Sequence, residues 1–240
     1  MLSKKIGLLV LLLFSKGLFA QTEHQFLDSR TALFLNVEKY TPNSNFLFLA
    51  SRLYFFKKIK QEHFFGYDLR LNNHWAIGGG IKGVFWATNS LWKPALWLSH
   101  SGNIRKIEFL KQVLLERQNE VGFQKQTNLI FKVSLAYQPK NWRFVLASQF
   151  AQFYSDIPRT RTFDRSQIRV EIARYFPKFS VSFFYEHQTD YYLALAQYNL
   201  QNQLIKPDRN LNFHQGFFGI RCHYLAKPTE ISQKIRYLDY

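Results

Sequence analysis

Apolar and polar side chains alternate one by one along residues 164–176, DRSQIRVEIARYF. Ile168, Val170 and Ile172 would share one face of an extended chain, and the charged side chains between them would share the other. A repeat of two residues is typical of a β-strand that has one apolar and one polar face. In a soluble sheet the charged face would meet water. In a membrane barrel it would line the interior, and the apolar face would contact lipid.

The same alternation, or the same preference for β-branched and aromatic residues, recurs along most of the chain. It predicts strands at residues 30–40, 46–57, 64–71, 73–86, 90–100, 104–117, 128–137, 142–154, 164–176, 178–189 and 213–225. Turn sequences separate several of them, at residues 41–45, 72–73, 101–103, 138–141 and 176–178. Longer polar links are expected at 119–126, 155–163 and 190–210. Because no linker and no shift in composition interrupts the pattern, residues 21–240 are expected to form a single domain.

The first twenty residues, MLSKKIGLLVLLLFSKGLFA, have the pattern of a secretory signal peptide. Two lysines form the basic start, and Ile6 to Phe14 form an apolar run that is too short to span a bilayer. Ala20 supplies a small residue before the expected cleavage point. The alternative interpretation is a short membrane anchor, although nothing lengthens the apolar run. We therefore predict that residues 1–20 are a signal peptide that is removed on export.

The chain contains 25 Phe, 13 Tyr and 5 Trp but only 11 Gly and 7 Pro, so it is too apolar and aromatic to be disordered. After the signal peptide, no run approaches the roughly 18 apolar residues of a membrane helix. An exported chain of this kind can still cross a membrane as a closed β-barrel, because helices and closed barrels satisfy every backbone polar group within lipid. We predict an all-β fold, an antiparallel transmembrane β-barrel of about twelve strands. A soluble β-sandwich or lipocalin-like barrel is the alternative.

The number of predicted strands leaves one question open. Single-chain bacterial barrels have even strand numbers, so one strand has been missed or one overcounted. Residues 229–240 are the best candidate for a twelfth strand. A second difficulty concerns the turns: if the first strand starts from the periplasm, the short turns fall outside the cell, the reverse of the usual arrangement. A short extra strand within 21–29 would restore that arrangement. Cys222 is the only cysteine, so no internal disulfide is possible.

Two stretches carry a resemblance to a known family. FFGYDLRLNNHWAIGGGIKGVFW, at 64–86, combines a Gly-Tyr strand, a turn with Asn and Trp, and a Gly-rich return strand, and RSQIRVEIARYF, at 165–176, is studded with Arg and Glu. Both resemble the uncharacterised Gram-negative outer-membrane barrels classed as a domain of unknown function. The resemblance covers most of the mature chain and implies a barrel in the outer membrane. It implies no catalytic residues.

Ionisable residues occupy predicted inward positions on several strands. Unpaired charges inside a narrow barrel would be costly, so these groups are expected to pair across strands. One interpretation is a polar channel or binding cavity for an anionic or zwitterionic solute, and the other is a plug of ion pairs that fills the interior. The candidate residues are Asp68, Arg70, Glu116, Arg143, Arg165, Arg169, Glu171 and Arg221.

The sequence LSHSGN, at 98–103, suggests a hydrolase as an alternative, since some outer-membrane barrels trim lipid acyl chains with a Ser and a His. His100 and Ser101 are the candidate catalytic residues. They are adjacent on a predicted strand, so their side chains should point to opposite faces. The seven histidines show no ligand spacing, and we predict no metal site and no cofactor.

Gly78, Gly80 and Gly83 match G-x-G-x-x-G, the phosphate-binding pattern of dinucleotide-binding folds. That pattern requires a helix after the glycines and an acidic residue about twenty positions on. Here a further β-like run follows, and the next acidic residue is Glu108. If this segment is a strand, Gly78 and Gly80 share the inward face with Ala76. We therefore predict that the barrel interior is least filled at this place, which leaves room for large neighbours such as arginines.

The net charge of +16 would suit a nucleic acid, but an exported membrane protein rarely meets one and the basic residues are scattered. No nucleic-acid partner is predicted. The expected partners are outer-membrane lipid, the outer-membrane insertion machinery and a small anionic or zwitterionic solute. The expected function is a non-enzymatic outer-membrane barrel whose charge-lined interior acts as a small pore or binding cavity. The alternatives are a lipid-modifying barrel enzyme and a structural or surface-interaction barrel.

Overall fold

The computed structural model describes residues 22–40, 45–55, 59–86, 89–118, 126–154, 164–194, 196–199, 201, 203–207 and 209–226. These residues form β-strands and the connections between them, and none of them is helical. The predicted all-β fold is therefore confirmed.

Fourteen strands lie within the described ranges. In chain order they are β1 (Thr22–Phe26), β2 (Arg30–Tyr40), β3 (Phe46–Phe55), β4 (Lys60–Arg70), β5 (Trp75–Trp86), β6 (Asn89–Ile104), β7 (Ile107–Gln118), β8 (Gln126–Tyr137), β9 (Trp142–Tyr154), β10 (Arg165–Tyr175), β11 (Phe179–Ala194), β12 (Gln197–Tyr198), β13 (Leu204–Lys206) and β14 (Arg209–Ala226). Each strand predicted from the sequence corresponds to one of the eleven long strands, whereas β1, β12 and β13 are short.

The eleven long strands close into a barrel. From β2 to β11 each strand pairs antiparallel with the next, and β14 pairs antiparallel with β11. β14 also pairs with β2 in the same direction, with Phe217 opposite Arg30 and Ala226 opposite Lys39. The prediction of a β-barrel of about twelve strands is confirmed, since the sheet contains these eleven strands and β1. The expectation of an even number is wrong for the closed part, which has eleven strands. An odd number of up-and-down strands leaves the first and the last pointing the same way, so the closing pair, the β2/β14 seam, is parallel.

β1 extends the same edge of β14. It pairs in parallel with the first part of that strand, with Thr22 opposite Asn210 and Phe26 opposite His214. The extra strand expected within 21–29 is therefore present, but it runs in the same direction as β2 and does not reverse the chain. The short turns consequently lie at the end of the barrel opposite to β1. The predicted twelfth strand at 229–240 lies outside the described residues.

The two ends of the barrel differ in their connections. The short-turn end carries the β2–β3, β4–β5, β6–β7, β8–β9 and β10–β11 connections, none of which is longer than five residues. The long-link end carries the three longest connections, which join β7 to β8, β9 to β10 and β11 to β14. β12 and β13 form a small hairpin within the last of these. Because β11 and β14 both extend into it, the link expected at 190–210 is shorter than predicted.

The predicted turn at 101–103 is wrong. β6 continues to Ile104, and the chain turns over the next two residues, where Arg105 has a φ of 57°. Gly102 lies beneath the ring of Phe109 on β7, and a Cβ atom there would come within 2.8 Å of that ring. The glycine therefore serves packing between strands, which local composition alone does not distinguish from a turn signal.

The barrel exposes apolar side chains and buries charged ones. Each of the eleven barrel strands has at least one exposed large apolar residue. One from each strand, in chain order, are Leu35, Leu49, Phe65, Ile77, Leu96, Val113, Phe131, Phe144, Val170, Phe183 and Phe218. Inside the barrel, one buried apolar cluster surrounds Trp97 and another surrounds Phe34 and Phe184. Ionisable side chains lie between and beside these clusters.

Candidate functional site

All eight ionisable residues singled out in the sequence lie on the inward side of their strands. Six of them are almost completely buried, with exposed fractions of 6% or less: Asp68, Glu116, Arg143, Arg169, Glu171 and Arg221. Arg70 and Arg165 are half-buried and lie at the ends of β4 and β10. The charged interior is therefore the candidate site.

Glu171 lies at the centre of a buried ion-pair cluster built from β10, β11 and β14. Its Oε2 atom lies 3.4 Å from Nε of Arg169 and 3.3 Å from Nη1 of Arg221. The hydroxyl of Ser182 donates a hydrogen bond of 2.6 Å to the other carboxylate oxygen. Arg169 also reaches Glu186, with 3.7 Å between Nη1 and Oε2. Two guanidinium groups and two carboxylates thus offset one another, as buried charges require.

Two phenylalanine rings form a platform for three arginines. Phe34 and Phe184 stack with their centroids 4.5 Å apart. The guanidinium carbons of Arg52 and Arg221 lie 4.9 Å and 5.4 Å from the Phe34 centroid. That of Arg169 lies 6.0 Å from the Phe184 centroid. Because aromatic faces attract cations, most strongly away from water, the platform helps three positive charges lie close together in the interior.

A second ion-pair cluster lies nearer the long-link end. Glu62 contacts Lys60 and Lys82, with N–O distances of 2.7 Å and 3.4 Å. Lys82 also lies 4.0 Å from Glu116. These contacts connect β4, β5 and β7, so the cluster reaches across the inner face of β6.

The remaining predicted residues have separate partners. Two of them form ion pairs: Arg143 lies 2.9 Å from Glu108, and Arg165 lies 2.5 Å from Asp190. Asp68 accepts a hydrogen bond of 2.6 Å from the indole of Trp97. Arg70 donates a hydrogen bond of 3.0 Å to the backbone carbonyl of Asn72. The structure thus gathers Arg169, Glu171 and Arg221 into one cluster and places the other five predicted residues elsewhere in the interior.

A cavity of about 40 Å³ lies inside the barrel against the wall formed by β7 to β11. Its charged lining consists of Arg52, Lys132, Arg169 and Glu186, and the amides of Gln112, Gln149 and Gln167 add to it. One buried water needs roughly 10–15 Å³, so the cavity has room for a few waters or for one small ion.

Several charged residues of these sites were not among the candidates from the sequence, including Glu62, Arg52, Lys82, Lys132 and Glu186. Glu62 precedes the predicted start of its strand, and Arg52 lies in FLFLASRLYF, where apolar side chains occupy both faces. Lys82 and Lys132 share the inward face with residues that the sequence analysis did place there. The alternation could therefore have identified these two lysines, whereas it gives no clear signal for Arg52.

The candidate hydrolase residues are not brought together. His100 points away from the interior and packs against Trp75, with ring centroids 4.6 Å apart. Ser101 lies on the inward side of β6 with Ser99, which accepts a 3.3 Å hydrogen bond from Gln112. The strand backbone therefore separates the imidazole of His100 from the hydroxyl of Ser101.

The prediction that the interior is least filled beside Gly78 and Gly80 is wrong. A Cβ atom on Gly78 would overlap the indole of Trp97, and one on Gly66, opposite Gly80, would overlap the ring of Phe48. The glycines do make room for large neighbours, but those neighbours are the aromatic rings of the Trp97 cluster. A cavity inside the described part of the barrel lies instead against β7 to β11.

Exposed basic side chains surround the short-turn end. They are Lys39, Arg105, Lys106, Lys140, Arg174 and Lys178. Three acidic residues near this end, Glu38, Asp68 and Glu108, face inward and do not lie among these exposed cations. Their partners inside the barrel are His223, Trp97 and Arg143, respectively. The guanidinium of Arg174 lies 5.2 Å from the ring of Trp142, so basic and aromatic groups meet on the outer wall. We call these six cations the basic rim.

The fold and interior define a class of protein, a closed β-barrel with an apolar exterior and a charged core. A comparison with models of protein families finds none that matches the chain, and a comparison with curated proteins finds no match. The resemblance to outer-membrane barrels therefore stays a prediction. Across the described ranges, no group of three or more His, Cys, Asp or Glu residues is placed to hold a metal ion. The described residues also include no helix long and apolar enough to cross a membrane.

Proposed function

We propose that this chain is an outer-membrane β-barrel of the cell envelope that binds a small solute inside a closed, charged interior. The reversed polarity of the barrel carries the proposal, since every barrel strand exposes large apolar residues while ionisable residues are buried. In water such an exterior would be an aggregation hazard, whereas in lipid it is the favourable surface. Export by a signal peptide at residues 1–20, insertion by the outer-membrane machinery and contact with outer-membrane lipid belong to the same proposal.

The dimensions of the strands support a membrane location. Trp75 and Phe85 lie on the outward side of β5, ten residues apart. At about 3.3 Å per residue they are separated by roughly 33 Å along the strand. A tilt of about 45° reduces this to ~23 Å across the membrane, close to the ~25 Å apolar band between the aromatic girdles of such barrels.

The packing of the interior supports a binding barrel more than an open pore. The Trp97 cluster, the Phe34 platform and the Glu171 cluster all lie within the described part of the barrel and are buried. A conducting pore needs a continuous path of water between the two ends, and these groups occupy the interior at several levels. The cavity against β7 to β11 remains as the space in which a small solute would bind.

Cell fractionation tests the location. Membranes from cells that produce the full chain are separated on a density gradient, and the N-terminus of the protein is sequenced. We expect the chain in the outer-membrane fraction, starting at Gln21, and resistant to extraction with salt. Recovery as a soluble periplasmic protein would contradict the proposal and favour a lipocalin-like barrel.

Planar-bilayer recording tests the closed interior. We expect no steady ion current from the wild-type chain, because packed side chains fill its interior. The double variant Phe48→Ala/Trp97→Ala removes the centre of the apolar cluster and should allow current to pass. Leu96→Ala, on the exposed face of β6, is the control and should stay silent. A steady wild-type current would contradict the binding barrel and support a pore.

A further inference from the structure

The lining of the cavity carries more positive than negative charge. Three cations, Arg52, Lys132 and Arg169, line it together with one carboxylate, that of Glu186. Glu186 already lies 3.7 Å from Arg169 and accepts a hydrogen bond of 3.3 Å from Gln167. Glu186 thus offsets part of the positive charge, and the lining keeps an excess of cations over carboxylates.

This charge excess is unfavourable inside the barrel. Lys132 lies within electrostatic range of the cations Arg52, Lys82 and Arg169. The carboxylate of Glu116 also lies in that range and offsets part of the repulsion. Like charges repel more strongly where water is largely excluded. An anion between these side chains would relieve the repulsion and would stabilise the folded barrel.

The cavity has the size and the donors for an oxyanion. Its volume of about 40 Å³ suits a species of a few non-hydrogen atoms rather than a metabolite. A guanidinium group presents a planar set of donors that matches an oxyanion, and an ammonium group adds a compact point charge. The amide of Gln149 and the hydroxyl of Ser134, both in the lining, can donate further hydrogen bonds.

We propose that this cavity binds a small inorganic oxyanion, such as phosphate or sulfate, through Lys132 and Arg52, with Arg169 completing the site. The inference deepens the proposed function and rests on it, since it names the ligand class of the interior cavity. The binding energy comes from charge neutralisation among side chains that are buried or half-buried.

The test uses the purified full chain folded in detergent micelles. The unfolding midpoint is measured while phosphate replaces chloride at constant ionic strength. Phosphate should raise the midpoint with saturation, because a ligand that binds only the folded state stabilises it. Lys132→Gln should weaken the apparent affinity for phosphate by about tenfold, the loss expected for one charge-assisted hydrogen bond. Arg52→Gln gives the same information if the first variant folds poorly.

Lys93→Gln is the matched control. Lys93 lies on the inward side of β6 but outside the cavity lining, so the variant removes the same charge from the interior at a different place. Its affinity for phosphate should match that of the wild type. In chloride alone, the unfolding midpoint of each variant is the reference from which its response to phosphate is measured.

Two results would overturn the inference. One is a rise of the midpoint that increases linearly with phosphate and is shared by all variants, which is a general salt effect. The other is an equal loss of affinity in Lys93→Gln and Lys132→Gln. These outcomes differ from failure of the proposed function. A chain found outside the outer membrane refutes that function, whereas a membrane barrel that does not respond to phosphate refutes the oxyanion site alone.

Discussion

At the scale of single residues, Glu171 shows how this interior tolerates charge. Its carboxylate has an exposed fraction of 1%, and it lies between two guanidinium groups while accepting a hydrogen bond from Ser182. An intact buried ion pair adds little net stability, because desolvation cancels most of the attraction. Removing one partner is different, since the remaining charges stay buried without compensation.

Glu171→Gln should therefore lower the free energy of unfolding by about 3–5 kcal/mol, because Arg169 and Arg221 would then repel each other. Denaturant titration of the detergent-folded chain measures the change. The control is Glu23→Gln, which breaks a partly exposed pair with Arg209 and should cost at most about 1 kcal/mol. Equal losses for the two variants would mean that Glu171 is solvated.

The sequence predicts on which side of the barrel wall a residue lies, but it does not predict which other residues that residue contacts. Asp68, Arg143 and Glu171 were placed inside because each is polar at an inward position of an alternating strand. The partner of Asp68 is the indole of Trp97, two strands away along the sheet, and no local pattern reports such a pairing. Arg52 escaped notice because its neighbours in β3 are apolar on both faces.

At the scale of the strands, the β2/β14 seam is the feature that the sequence indicates least. Alternation identifies a strand and its two faces, but it carries no information about which distant strand lies beside it. The number of strands decides whether the first and the last strand run parallel or antiparallel. An error of one strand in that number therefore changes a parallel seam into an antiparallel one. The strands themselves were predictable because each repeats a local pattern.

Leu35→Cys tests the seam directly. Leu35 of β2 lies opposite Cys222 of β14, and both residues are on the outward side of the barrel. Neighbouring strands are about 4.8 Å apart, within the range of Cα separations that a disulfide spans. Mild oxidation of the folded chain should therefore consume both thiols and give a cross-linked band that runs faster on a non-reducing gel. The wild-type chain has a single cysteine, so it cannot form this cross-link.

Leu33→Cys and Val37→Cys provide the register controls. Each lies on the same face as Leu35 but two positions along β2, opposite Ile220 and Tyr224 rather than Cys222. Cross-linking should be markedly less efficient at both positions. Faster cross-linking at either one would mean a shifted register, and none at any of the three would mean that β2 and β14 are not neighbours.

At the scale of the whole molecule, the basic rim gives the short-turn end a set of exposed positive charges. Cations next to a bilayer surface gain about 1 kcal/mol each from anionic head groups, and salt screens the attraction. The rim and the aromatic groups beside it lie on the outer wall at one end. This arrangement favours anchoring of the short-turn end among lipid phosphates.

Replacing Arg105, Lys106, Lys140 and Lys178 with Gln should remove most of that preference. The wild-type chain is expected to fold into vesicles that contain about one-third anionic phospholipid faster than into zwitterionic vesicles. The variant should show a much smaller difference. The control is Arg117→Gln/Lys206→Gln, which removes two exposed cations that lie outside the rim. For each charge removed, this control should lose less of the preference for anionic vesicles than the rim variant does. If the wild-type folding rate does not depend on anionic lipid at low salt, the rim has no such role.

The parallel seam has a consequence for how the chain is oriented in space. In a barrel with an even number of strands, the chain enters and leaves at the same side. Here Thr22 lies at the long-link end and Ala226 at the short-turn end. If the barrel crosses a membrane, these two points face different compartments, so a protease that acts from one side can reach only one of them. Assembly must then move one of these two ends of the barrel across the bilayer, while the other end stays on the side from which the chain inserts.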